Sequence, residues 1–312
     1  MYKKIFDVSD IKTYVKLTCV ALLWGGTFIA GRMISTEIPT NIAALFRFLI
    51  ASVLLLILVS KIEGKFVKLS FSQHVFTAGM GLTGVFAYNI FFFNALSYME
   101  AGRTALFVSL SPVLTIIAAR ILFKEKLSII NYLGILIAFL GTLIVVTRGH
   151  LFSQFNSSFG LGELMMVGAV TSWVIYTVLC KKLVLLTPLV TTTYSTLWGT
   201  LFLFVSSIPN LSEFKNFEIS LDIFLSITYL GVFGTVLAFI WYAQGIVRLG
   251  ASRTVVFNNF VPFFAVLLSF CFLDEKLTGP MVNGGILSFI GVMLTNKKEV
   301  RMSRVNASSR HK

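Results

Sequence analysis

The stretch RTALFVSLSPVLTIIAARILFKEKL occupies residues 103–127, and RTVVFNNFVPFFAVLLSFCFLDEKL occupies 253–277. The second copy lies 150 residues after the first, and at that offset the chain aligns with itself without a gap from Gly81 to Gly141. The alignment pairs Gly81 with Gly231, Gly84 with Gly234, Arg103 with Arg253 and Thr104 with Thr254. It goes on to pair Pro112 with Pro262, Glu125-Lys126-Leu127 with Glu275-Lys276-Leu277, Gly134 with Gly284 and Gly141 with Gly291. Upstream, Trp24 and Trp173 correspond at an offset of 149. Apolar segments share Phe and Gly by chance. They do not share Arg-Thr, Pro and Glu-Lys-Leu in one register, so the chain reads as an internal duplication.

The 312 residues are 56% hydrophobic and 12% charged. The apolar residues fall in runs of roughly 20, the length that crosses a bilayer as a helix. Continuous runs, rather than short alternating segments, exclude a barrel. The expected fold is an all-α polytopic membrane protein with ten transmembrane helices. They lie near 14–34, 41–60, 74–95, 103–123, 129–147, 161–180, 190–208, 221–245, 253–273 and 281–296. A first five-helix repeat spans 1–150, a second spans 151–298, and a basic tail covers 299–312. Lys and Arg concentrate in alternate connections, 20 on the side of the two termini against 5 on the other, with Arg47 inside a span left out. The positive-inside rule then places both termini in the cytoplasm, in a cell (inner) membrane. Five spans per half is an odd number. The second copy therefore enters from the opposite side, giving two inverted repeats, the architecture of many secondary transporters.

The net charge of +13 does not point to nucleic acid, because it sits between the apolar runs and at the ends, not in a basic stripe. Cys19, Cys180 and Cys271 lie in apolar runs without metal spacing, and three His are scattered. Phosphate-binding and dinucleotide fingerprints are missing, as is any nucleophile–base–metal constellation. The reading is therefore no enzyme and no cofactor. The expected partners are a small-molecule substrate and the lipid bilayer, with the chain a monomer or weak homo-oligomer.

Four segments carry a family resemblance: LLWGGTFIAGR (22–32), FRFLIA (46–51), the two A-x-R-T…P…E-K-L units, and ELMMVGAVTSWVIYTVLCKKL (163–183). In that order and spacing they resemble the EamA family of the drug/metabolite transporter superfamily, over nearly the whole chain. The resemblance implies a cavity framed by the first, third, fourth, sixth, eighth and ninth helices, and export of small metabolites or drugs in many members, without identifying the substrate. The leading reading is an exporter of amino acids or related small metabolites, which aromatic and amide side chains suit. Drug efflux and uptake are alternatives, as is a channel or a non-transporting membrane subunit.

Candidate substrate-binding residues follow from polar and aromatic side chains deep inside spans. Trp24 and Trp173 are too deep for an interfacial belt, and Thr27 and Tyr176 lie three residues on, on the same faces. Asn89, Trp241, Tyr242, Asn258 and Asn259 complete the set. The two adjacent Asn point roughly 100° apart on a helix, so only one of them is expected at the site. Pro112 and Pro262 free the carbonyls of Val108 and Asn258; they read as packing kinks or as gating elements. Arg47 reads as a structural or gating cation bonded to carbonyls, or as a binder of a substrate carboxylate. Asn94 and Gln244, repeat equivalents, read as ligands or as a helix–helix bond. Glu125-Lys126 and Glu275-Lys276 read as solvated, capped turns. No Asp or Glu occupies the middle of a span, and Glu100 and Glu163 near the ends are weak proton-coupling candidates. The expected substrate is thus neutral, zwitterionic or weakly anionic.

Overall fold

The computed structural model describes residues 8–35, 37–64, 67–98, 104, 107–108, 110–125, 127–147, 160–210, 220–273 and 278–296. All regular structure among them is helical. In chain order the helices are α1 (Val8–Ser35), α2 (Thr40–Ile62), α3 (Phe71–Tyr98), α4 (Leu110–Phe123) and α5 (Ile129–Val146). Then follow α6 (Leu161–Lys182), α7 (Pro188–Ser207) and α8 (Leu221–Leu249). The ninth, α9, runs through Ala251–Val255, a 3-10 turn at Val256–Asn259, and Phe260–Leu273; α10 is Gly279–Thr295. Six helices are long and apolar enough to cross a membrane: α1, α2, α3, α6, α8 and α9. The α4, α5 and α10 helices are shorter and apolar. The seventh is 20 residues long but rich in Thr and Ser. Thr193 and Thr200 return their hydroxyls to carbonyls one turn back, so these groups need no water.

Large apolar side chains cover the outside of the bundle, among them Ile121, Ile129, Leu164, Leu225 and Phe289. In lipid there is no apolar driving force between helices, so close packing of small residues takes over. The α5–α10 crossing shows this. A Cβ on Gly134 would sit 2.7 Å from Gly291 O, and one on Gly284 would sit 2.7 Å from Gly141 O. These two contacts exchange under the 150-residue offset. Gly134 also abuts Thr295, and Gly284 abuts Val145, so α5 and α10 run antiparallel. Thr142 and Ser288 hydroxyls lie 3.2 Å apart inside the same crossing.

Other crossings follow the same exchange. The α2 and α7 helices are antiparallel, joined by Asn41 to Ser206 O at one end, Ser52 to Thr200 in the middle, and Thr187 to Glu63 beyond α2. Asp10–Arg248, Lys16–Gln244 and Trp24–Gly234 set α1 antiparallel to α8. Ring contacts Tyr14–Phe257, with Gly25 against Ala265, set α1 parallel to α9. Each half thus packs largely on the other.

The third and eighth helices each contain a π-helical stretch, Gly81–Ala87 and Val232–Leu237, again at repeat-equivalent positions. Gly81 admits Ser195 O of α7, and Gly231 admits Arg47 O of α2. Asn94 and Gln244 do not meet. Asn94 bonds Ile90 O within α3, while Gln244 accepts from Lys16, which lies one helix away and takes the pairing instead.

Candidate functional site

The polar core of the bundle starts from the eighth helix. A π-helical turn widens the ladder and leaves a carbonyl without its usual partner. There Gly234 O accepts from Trp24 Nε1 (3.0 Å) and from Arg47 Nη2 (3.2 Å). Arg47 Nε donates to Thr235 Oγ1 (2.8 Å), which in turn donates to Leu230 O. Arg47 Nη1 donates to Asn89 Oδ1 (3.1 Å), and Asn89 Nδ2 donates to Val85 O in the π-helical stretch of α3. Arg47 is 6% exposed, and every partner of its guanidinium is neutral. A buried cation held by neutral dipoles alone is costly unless something anionic completes it.

This network forms one wall of a cavity. Trp24, Thr27 and Phe28 of α1, Arg47 of α2, and Tyr88, Asn89 and Phe92 of α3 line it. Val108, just before α4, and Ser111 within it, Val170 and Trp173 of α6, Phe239 of α8, and Asn258 and Val261 of α9 complete the lining. Four repeat-equivalent pairs share it: Trp24/Trp173, Asn89/Phe239, Val108/Asn258 and Ser111/Val261. In three of these pairs one member is polar and its twin apolar. Position obeys the duplication while chemistry breaks it. The free space is about 40 Å³, room for a few water-sized spheres.

Of the candidate residues, Trp24, Thr27, Arg47, Asn89, Trp173 and Asn258 line the cavity. Arg47 thus sits in the cavity wall. Tyr176 and Tyr242 stand behind it: Tyr176 stacks on Trp173 at 4.9 Å, and Tyr242 tilts against Trp24 and Trp173 at 5.3 Å while its hydroxyl meets Thr177. Asn259 and Trp241 are not brought there. Asn259 lies on the flank where its carbonyl accepts from Thr142 of α5. Trp241 lies beneath Lys16, 6.0 Å from its ammonium. Pro112 is buried in α4, and Pro262 follows the 3-10 turn that carries Asn258. Sequence reasoning missed Tyr88, Phe92, Ser111 and Phe239. The repeat offset held a signal for Phe239, the twin of Asn89, and for Ser111, one residue before Pro112.

Glu163 caps its own helix by accepting from Gly160 N (2.8 Å); Glu100 falls outside the described residues. Among the described helical residues, Asp10, Glu163 and Asp222 lie in first turns and none at mid-helix.

Glu125 departs from the solvated-turn reading. Its carboxylate is partly buried, pairs with Lys181 of α6, and accepts from Ala251 N and Ser252 N (both 3.3 Å) at the start of α9. Gly250, at φ +89°, makes the turn that presents these amides. Lys126, Glu275 and Lys276 lie outside the described residues. Burial by itself would raise the Glu125 pKa, but the hydrogen bonds from Lys181 and Ser252 and the Lys181 charge together hold it below the usual carboxylate value. A depressed folded-state pKa adds stability at neutral pH that is lost as pH falls through that value. Glu125→Gln should therefore cost about 1–2 kcal/mol at pH 7. The gap in Tm between wild type and variant, followed in detergent from pH 7 downward, should close only in acid below the ordinary carboxylate range.

The bundle holds an aromatic and amide-lined cavity whose lining comes from both halves of the chain. The chain belongs to the EamA-like transporter family, whose family model matches it twice, over residues 12–147 and 160–297. It is 30% identical over 300 residues to "Uncharacterized transporter YyaM" of Bacillus subtilis (strain 168), covering 96% of this chain and 98% of that one. An "Uncharacterized transporter" of Archaeoglobus fulgidus is 29% identical over 92% of this chain and 98% of its own. A "Probable terminal-alkyne amino-acid exporter" of Streptantibioticus cattleyicolor is 24% identical over 72% of this chain and 73% of its own. A solved crystal structure matches the fold with a TM-score of 0.73 at 18% identity, over 91% of this chain and 96% of that one. Transporters of this family are not enzymes, and their context is a membrane and a small-molecule solute.

Proposed function

We propose that the chain is a secondary transporter of ten membrane spans in two inverted repeats, exporting amino acids or similar small metabolites across the cell inner membrane by alternating access. The single observation that carries this reading is the cavity lined by both halves, with four repeat-equivalent pairs among its lining residues. Two related bundles that swap conformations give inward- and outward-open states of similar energy, with the solute held where they meet. The reciprocal α5–α10 contacts and the antiparallel α2–α7 pair support inverted repeats. The Lys/Arg asymmetry supports cytoplasmic termini. Glu125 ties the turn after α4 to α6 and α9, a contact that must break when the pocket opens on that side. The amino-acid exporter name of one relative supports the solute class and direction.

Reconstituted in liposomes preloaded with unlabelled amino acids, the protein should accelerate entry of labelled solute through exchange. Entry that ignores the solute on the far side would indicate a channel. No protein-dependent flux for any amino acid or organic acid would remove the transporter reading.

A further inference from the structure

We propose that the cavity takes a solute of net charge −1: a carboxylate with an apolar body and no free ammonium, its two oxygens held end-on by Arg47. The inference rests on the transporter reading and, within its small metabolites, favours organic acids over amino acids. A guanidinium offers five N–H donors. Three of them are spent, on Thr235, Asn89 and Gly234. One N–H remains on each of Nη1 and Nη2, and a carboxylate bridging the two nitrogens would take both. The neutral partners fix the orientation of the group without satisfying its charge. Among the described residues no acid lines the cavity, and Arg47 is the one charged group in its lining.

One further group points to a ligand with a hydrogen-bonding head. Ser111 Oγ is buried at the wall without a hydrogen-bond partner. Most of the remaining lining is apolar, with Phe28, Phe92, Trp173 and Phe239 presenting rings beside Thr27, Tyr88 and Asn258, which suits an aromatic or branched hydrocarbon body. An amino-acid zwitterion would bring an ammonium into a space already holding Arg47 and lacking a carboxylate to pair it. An anion makes the filled site neutral, whereas a zwitterion leaves it positive, and inside a bilayer that difference is large.

The test uses four solutes sharing one phenyl body: 3-phenylpropanoate, L-phenylalanine, 2-phenylethylamine and 3-phenylpropanamide. Binding to the full chain in detergent is read from tryptophan fluorescence and thermal shift, and exchange is read in liposomes against protein-free vesicles. The expected result is 3-phenylpropanoate binding at least about tenfold tighter than the other three, since each additional 1.4 kcal/mol is a tenfold change. Arg47→Lys should weaken it by about tenfold, because a point charge cannot bridge both oxygens. Arg47→Gln should lose it while Trp241→Ala keeps it. Net uptake of the anion should also rise with an inside-positive potential set by ion gradients, a readout in the wild type that does not depend on variants folding. Preference for phenylalanine or the amine, or anion uptake blind to potential, overturns this inference and leaves the transporter reading standing. Exchange of none of the four and of no other amino or organic acid overturns both.

Discussion

Gly291→Val should cost about 3 kcal/mol or more and deprive the protein of a monodisperse folded form in detergent. A side chain there would sit 2.6 Å from Gly134 O and press on the backbone of Ala138. Backbone of a packed helix cannot step aside as a side-chain tip can, so α10 must leave α5. Gly141→Val should act alike, since its Cβ would meet Gly284 O at 2.6 Å. Ser288→Ala, one turn away, provides the contrast. It removes hydroxyl bonds to Ala138 O and Thr142 but adds no atoms, for a loss of about 0.6–2 kcal/mol. Size-exclusion profiles and Tm of the three variants should separate the two classes. Equal behaviour of Gly291→Val and Ser288→Ala would mean the crossing is looser than drawn here.

Trp173→Ala should abolish exchange and lower stability by about 3–5 kcal/mol. Trp173 is the hub of the aromatic wall, stacked on Tyr176 and in ring contact with Trp24, Tyr88, Phe239 and Tyr242 at 4.9 to 5.6 Å. Trp173→Phe should keep most of the stability, having less volume to lose, yet still impair exchange through the changed wall. Trp241→Ala should leave exchange within about twofold, because Trp241 lies outside the cavity under Lys16. Initial rates in proteoliposomes, normalised to folded protein, decide between them. A Trp241 variant as damaged as the Trp173 variant would move the site toward the end of α8.

The sequence made the helical runs and the duplication legible, because membrane helices announce themselves by length and apolarity, and Pro, Glu-Lys-Leu and Arg-Thr repeat in register. The pairing of halves was also within reach, since matched glycines in α5 and α10 need a close neighbour. Facing was harder. Asn258 and Asn259 differ by one step on a tight turn, and nothing local says which of them sees the cavity. Trp241 is as aromatic as Trp173, but a Lys one helix away claims it. Arg47 carried both readings because the π-helical turn that supplies its partners is not written in apolar periodicity. Glu125 resembled any charged turn; its partners, Lys181 and the amides of Ala251 and Ser252, are more than 50 residues away in sequence.

The central claim is that the two related halves enter the membrane from opposite sides. Single cysteines at Lys126 and Lys276, placed in a chain freed of Cys19, Cys180 and Cys271, test it through an impermeant maleimide applied to intact cells. The expected outcome is labelling at position 276 from outside and protection at 126 until the membrane is opened. Labelling of both from the same side would contradict the inverted repeat, and with it the exchange of states on which transport here depends.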